Sequence, residues 1–298
     1  GGDGANERYP PLVAGISDPF HMLTIAAMGM PLFDNLDFEA LARTAVSLAQ
    51  AGERPRIKRP GQIGEELRLI DFERGAKTSG SRFYILRGQA ARLQRALITW
   101  MLDVHCEHGF EEVYVPFVVK EQALVGTSQL PKFADTMYHD VEDDIWLIPT
   151  AEVPVTNLYR DEILPSTALP IHHVAYTPCF RRERMSAGRD VRGIKRGHQF
   201  DKVELVKFCT REESWGELDS LLSAALAIVQ ALGFRYRVVR LASEDLGFAS
   251  AMSYDIEIWA PGSREWLEVS SCSNFLDFQA RRASLRYRDG EGKVQHLH

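Results

Sequence analysis

The chain has 298 residues, 45% hydrophobic and 26% charged, enough for one large domain or two modest ones and too apolar for a disordered chain. Its net charge of −6 argues against a protein that coats nucleic acid non-specifically, while leaving room for a local basic patch. Cys106, Cys179, Cys209 and Cys272 form no CxxC pair and no zinc-like spacing, so a disulfide scaffold is excluded and the cytosol is the simplest compartment.

The first 52 residues differ from the rest. Glycine and proline dominate the opening, and the apolar stretch His21–Phe33 is too short to span a bilayer and lacks a basic flank. We therefore expect no signal peptide and no membrane anchor. Leu36, Phe38, Leu41, Ala42, Ala45 and Leu48 fall at helical spacing and predict one amphipathic helix over 36–50. The run GERPRIKRPG that follows reads as a linker. From about Gly64 the pattern becomes dense. A helix is predicted over Gln89–Cys106, with Leu93, Leu97, Trp100, Met101 and Val104 as its apolar stripe and Gly109 as its stop.

Glu111–Val119 reads as a strand interrupted by Pro116, which suits an edge or an interface. Ile145–Ile148 is a short strand. His172–Glu183 and Gln199–Phe208 are two strands joined by a long polar loop. Glu213–Leu232 is a second helix, with Trp215, Leu218, Leu222, Ala225 and Val229 in line. Arg235–Leu241, Tyr254–Trp259 and Trp266–Ser271 add three strands. The order predicts an α+β fold, an antiparallel sheet flanked by helices, rather than a doubly wound one. Neither GxGxxG nor GxxxxGK[ST] occurs, which argues against the common nucleotide folds.

The strongest constellation is TPCFRRERMSAGRDVRGIKRGHQFDKVELVKF, residues 177–208. Alternation puts Arg181 and Glu183 on one face of the first strand, and Phe200, Lys202 and Glu204 on one face of the second. If the strands pair, one wall presents a guanidinium, a carboxylate and an aromatic plate. The loop adds Arg184, Arg189, Arg192, Lys195 and Arg196 against Asp190. Arginine forks suit phosphate oxygens, and an aromatic plate suits a base. The bland alternative is a solvated basic hairpin loop with a satisfied Arg–Glu pair.

FRRE, then SAGRD, then HQFDKVELVKF resembles motif 2 of seryl-tRNA synthetases, a class II aminoacyl-tRNA synthetase family. GEELRLIDFERGAKTSGSRF, GTSQLPKF, IPTAEVPVTNL, DLGFASAMSYDIEIW and EVSSCSNFLDFQARR resemble that family in order, from about Gly64 to Val294. HGFEEVYVPF resembles its motif 1. The resemblance implies a class II synthetase-like antiparallel sheet of six or seven strands flanked by helices, in a homodimer with Pro116 at the interface. It implies a cytoplasmic, ATP-dependent serine–tRNA ligase that forms seryl-adenylate and passes serine to tRNA(Ser). Arg181 would hold the α-phosphate as the catalytic residue, with Glu183 near the adenine, Phe200 stacked on it and Arg196 on the ATP. Thr150, Glu152, Arg181 and Glu204 would bind serine. Glu268 and Ser271 would lie by the phosphates, Glu268 as a Mg²⁺ ligand, a role that suits a carboxylate. Read alone, Glu152 also suits a turn cap, and Glu268 a solvent-facing strand position.

The sequence departs from the family pattern in three places. Residues 1–62 show no sustained heptads where the family has a tRNA-gripping helical hairpin. The segment DPFHMLTIAAMGMPLFDNLDFEAL faintly resembles the tail of cyclase-family hydrolases instead. The sequence stops at His298, before the family's motif 3. Arg184 and Met185 stand where the family prefers small residues, and Gly197 where it often has glutamine. The expectation is thus an atypical segment and linker over 1–62 and a catalytic core over 63–298, truncated before motif 3. Two alternatives remain: an amino acid:carrier-protein ligase, and a non-catalytic paralogue or fragment.

Overall fold

Seven strands make the central sheet of the computed structural model, which describes residues 16–17, 64–183, 196–260 and 264–298. They are β1 (Ile16–Ser17), β2 (Glu111–Glu112), β3 (Ile171–Phe180), β4 (Gln199–Phe208), β5 (Tyr236–Arg240), β6 (Met252–Ala260) and β7 (Glu265–Asn274). The order across the sheet is β5-β6-β7-β1-β4-β3-β2. Every neighbour pair is antiparallel except β2 with β3. The helix expected over 36–50, and the loop residues Arg184, Arg189, Arg192 and Lys195, lie outside the described residues.

Helices α1 (Phe72–Ser79), α2 (Gln89–Glu107), α3 (Glu121–Gly126), α4 (Glu152–Thr156), α5 (Ser214–Ala231) and α6 (Phe278–Ala283) surround the sheet. Gly109 stops α2 as expected. Its φ of 90° is open to glycine and costly for other residues. The core fills the space between α2, α5 and one face of the sheet. Leu93, Leu97 and Met101 from α2 and Leu218, Leu222, Ala225 and Val229 from α5 meet Val174, Val203, Leu205, Ile256, Ile258 and Val269. Each large aliphatic side chain buried there contributes about 1.5–3 kcal/mol. Trp100 is only partly buried. Trp215, expected in the apolar line of α5, is 46% exposed because it sits on the first turn, beyond the rim of the sheet.

Two strand expectations are corrected. Glu111–Val119 is not one strand: Glu111–Glu112 pairs parallel with β3, and Val118–Lys120 joins a separate sheet with Ile145–Leu147 and His139–Asp140. Pro116 lies between them and has no N–H to continue a ladder. The strand predicted to reach Glu183 ends at Phe180. Beyond it Arg182 N donates to Thr136 O at 2.8 Å, and Glu183 adopts a φ of 46°. Arg181 and Glu183 therefore do not share a strand face.

Candidate active site

The hairpin β3–β4 pairs without a break from Phe180 opposite Gln199 to Ile171 opposite Phe208. Val203 and Leu205 point into the helix-side core with Val174 and Tyr176. Alternation then sends Lys202 and Glu204 to the opposite face. That face borders a cleft of about 610 Å³, a size that suits a small-molecule ligand. Thr150, Glu152, Arg181, Glu183, Arg196, Glu204 and Ser271 line it, as does Lys202.

Thr150 reaches the cleft because its segment runs beside the end of β3. Phe180 N donates to Ile148 O at 2.9 Å, and Arg181 Nε donates to Pro149 O at 3.2 Å. The buried Thr150 hydroxyl donates to Glu204 Oε2 at 2.6 Å and accepts from Lys202 Nζ at 2.7 Å. Lys202 and Glu204 also form an ion pair, and both are buried. The pair is favourable because each charge keeps a hydrogen-bonding partner in a low-dielectric site.

Glu152 begins α4 and faces the same cleft. Its Oε1 accepts from Gln279 Nε2 at 2.6 Å. Enclosure by protein atoms, then the neighbouring Glu204 charge, raises its pKa. The Gln279 hydrogen bond, Lys202 and Arg181 oppose that rise. Glu152 thus faces the cleft and does not act as a turn cap.

Arg181 lies with its guanidinium 5.0 Å above the Phe200 ring, a cation–π arrangement that keeps the fork planar and aimed. Phe200 does not line the main cleft; it borders a second cavity of about 570 Å³ with Phe83, Tyr84 and Gln94. Arg196 Nη1 donates to Glu183 Oε2 at 3.2 Å, and Arg82 Nη1 donates to the Glu183 carbonyl at 3.2 Å.

Across the cleft, β7 supplies Ser271 and Ser273. Glu268 is exposed and does not line the cavity itself. Surrounding atoms and then Asp255 push its pKa up, against Arg181 and Arg196. Asp255, paired with Ser271 in register, has its own pKa raised by burial and lowered in part by the Ser271 hydroxyl. Among the described residues its buried Oδ1 has no hydrogen-bond partner.

Sequence reasoning put Lys202 on the right face but gave it no role; the alternation was the available signal. In the sequence Gln279 is one unmarked residue of the run EVSSCSNFLDFQARR. No local pattern announces that a side chain on α6 reaches a carboxylate on α4.

The family model for the tRNA synthetase class II core domain (G, H, P, S and T) matches residues 133–298. The chain is 60% identical over 259 residues to a serine–tRNA ligase of Roseiflexus castenholzii, covering 85% of this chain and 61% of that relative. It thus spans less than two thirds of the length of that relative. Among solved structures, seryl-tRNA synthetase from Pyrococcus horikoshii complexed with ATP superposes with a TM-score of 0.77 at 41% identity. That match covers 80% of this chain and 53% of the other. Prolyl-tRNA synthetase from Cryptosporidium parvum, complexed with L-proline and AMP, superposes with a TM-score of 0.66 at 16% identity, over 80% and 47% of the two chains. That likeness is one of fold.

Proposed function

From a chain that belongs to the class II tRNA synthetase core family, we propose that residues 63–298, joined in their central sheet by the short strand Ile16–Ser17 from the preceding segment, form the ATP- and serine-binding core of a serine–tRNA ligase. The observation that carries the reading is the meeting, in one cleft, of Arg181 with the Thr150–Lys202–Glu204 cluster and Glu152. A small zwitterion needs a cation for its carboxylate, anions for its ammonium group and polar partners for a hydroxyl. Such a site rejects analogues lacking the hydroxyl, because its own polar groups are then left unpaired. The serine–tRNA ligase relatives favour this reading over a carrier-protein ligase.

In the proposed reaction, a serine carboxylate oxygen attacks the α-phosphorus of ATP. A P–O bond forms, the α–β phosphoanhydride breaks, and pyrophosphate departs with the electron pair. Arg181 binds both the serine carboxylate and the α-phosphate, holding them in line and offsetting the charge that grows on the phosphoryl oxygens. Glu152, Glu204 and Thr150 hold the ammonium group and the hydroxyl. Glu183 takes the adenine and Arg196 the phosphates, while Phe200, outside the main cleft, backs the Arg181 guanidinium. In the second step a terminal ribose hydroxyl of tRNA(Ser) attacks the seryl carbonyl and AMP leaves.

The phosphate side suits Mg²⁺. Glu268, Asp255 and Ser271 form an oxygen-only donor set, two carboxyls there have raised pKa values, and Asp255 Oδ1 is buried without a partner. Glu268 would hold the ion with Ser271, and when bound it neutralises charge on the phosphates. A homodimer follows from the same reading. Tyr114, 84% exposed at the sheet edge and packed edge-on against Phe117, flanks the Pro116 turn where the partner would sit. Location in the cytoplasm belongs to the proposal as well. Among the described residues no helix is long and apolar enough to cross a membrane.

The test is ATP–pyrophosphate exchange with each amino acid in turn. Serine alone is expected to support exchange. Exchange with another amino acid, or none with serine, overturns the reading.

A further inference from the structure

We infer that Gln279 is a positioning residue for Glu152, locking its carboxylate so that Oε2 faces the incoming ammonium group. The inference rests on the serine-binding reading above and adds a residue that reading does not use.

Gln279 lies on α6 and is buried, at 5% exposure. Its Nε2 donates to Glu152 Oε1 at 2.6 Å and to the carbonyl of Thr127 at 3.3 Å. Both neighbours are acceptors, and Nε2 is the only donor atom of the side chain. The amide orientation is therefore fixed: a flipped glutamine would set oxygen against oxygen twice. Glutamine is also the side chain of this length that supplies two hydrogens without a charge. Glutamate would face two acceptors with a third, and methionine would leave both unsatisfied.

The anchor itself is rigid. On the same helix Arg282 Nε donates to Val125 O at 2.9 Å, and a Cβ on Gly126 would lie 3.1 Å from the Ala283 Cβ. Helices α3 and α6 thus pack closely, and Gln279 stands on a fixed base above the cleft. Among the described residues Glu152 Oε2 has no hydrogen-bond partner. One carboxylate oxygen is spoken for and the other is presented.

The same bond favours the charged form of Glu152, together with Lys202 and Arg181 and against Glu204. Removing it removes one of three supports for ionisation.

The test titrates L-serine, and separately ATP, into the full chain, comparing wild type with Gln279→Met and the near-isosteric Gln279→Glu. Serine Kd is expected to rise about tenfold in the methionine variant and further in the glutamate variant at pH 8. ATP Kd should stay within about twofold. The pH below which serine binding fades should move upward in Gln279→Met, because Glu152 has lost a donor. A role in packing alone would not produce that shift. Unchanged serine affinity and an unchanged pH profile in both variants overturn the inference and leave the serine reading standing. So does an equal loss of serine and ATP affinity. If wild-type protein binds ATP but no serine, the serine reading falls and this inference falls with it.

Discussion

The two halves of the central sheet handle charge in opposite ways. On the β3–β4 side, charges meet partners inside the protein: Lys202 pairs with Glu204 and Thr150, and Arg181 stacks on Phe200 and donates to Pro149 O. On the β6–β7 side, Asp255 pushes the pKa of Glu268 up, and among the described residues Asp255 Oδ1 has no hydrogen-bond partner. The first half is electrostatically complete before any ligand arrives. The second is left with an excess of negative charge that a bound cation would relieve. The serine–ATP site proposed above needs both conditions, on strands of one sheet.

The largest expected effect comes from breaking the complete half at its cleft-lining cation. Under the proposed reaction Arg181→Ala should lower serine-dependent pyrophosphate exchange by about a thousandfold, since it removes the group proposed to offset the developing phosphoryl charge. Near-normal exchange in that variant would show that the cleft is not organised around Arg181. Next is a loss of stability. Lys202→Met leaves the buried Glu204 carboxylate without its cation, and should cost about 3–5 kcal/mol in chemical denaturation. A cost below about 1 kcal/mol would mean that the two halves do not differ as argued.

The smallest effect tests the incomplete half. Glu268 has a raised pKa, so its ionised form is disfavoured in the folded state. The folded state then binds the proton more tightly, and stability falls as pH rises from the usual carboxylate range through the raised value. Glu268→Gln should therefore raise Tm by about 1–2 °C at pH 7.5 without Mg²⁺, and leave it unchanged near pH 3. The variant should also gain less Tm from added Mg²⁺ with ATP than wild type does. A lower Tm at pH 7.5 would contradict the repulsion between Glu268 and Asp255.

Much of the complete half was legible in the sequence because period-two alternation fixes which side chains share a face. Phe200, Lys202 and Glu204 group on one face by alternation, and the structure puts the intervening Val203 and Leu205 in the core. The two long helices, α2 and α5, were legible for the same reason at period 3.6. What failed was local geometry that a neighbour decides. Glu183 leaves the strand because Arg182 is captured by the Thr136 carbonyl from a distant loop. Glu111–Val119 splits between two sheets because Pro116 interrupts the ladder. Phe200 shares the predicted face yet turns to the second cavity, leaving the main cleft to Lys202 and Glu204. The link between Gln279 and Glu152 spans 127 positions, and no periodic signal reaches that far.

The Thr150 hydroxyl has one proton and gives it to Glu204, while its lone pair takes a hydrogen from Lys202. That assignment leaves the rotor a single setting. This wall of the cleft is thus a frozen dipole with a defined sense, running from ammonium through hydroxyl to carboxylate. An arriving ligand finds the torsional entropy of that wall already lost at folding. Thr150→Ser would keep every polar atom of the relay while removing the buried methyl and its β-branched constraint, so its comparison with wild type shows what that methyl contributes through stiffness and packing together.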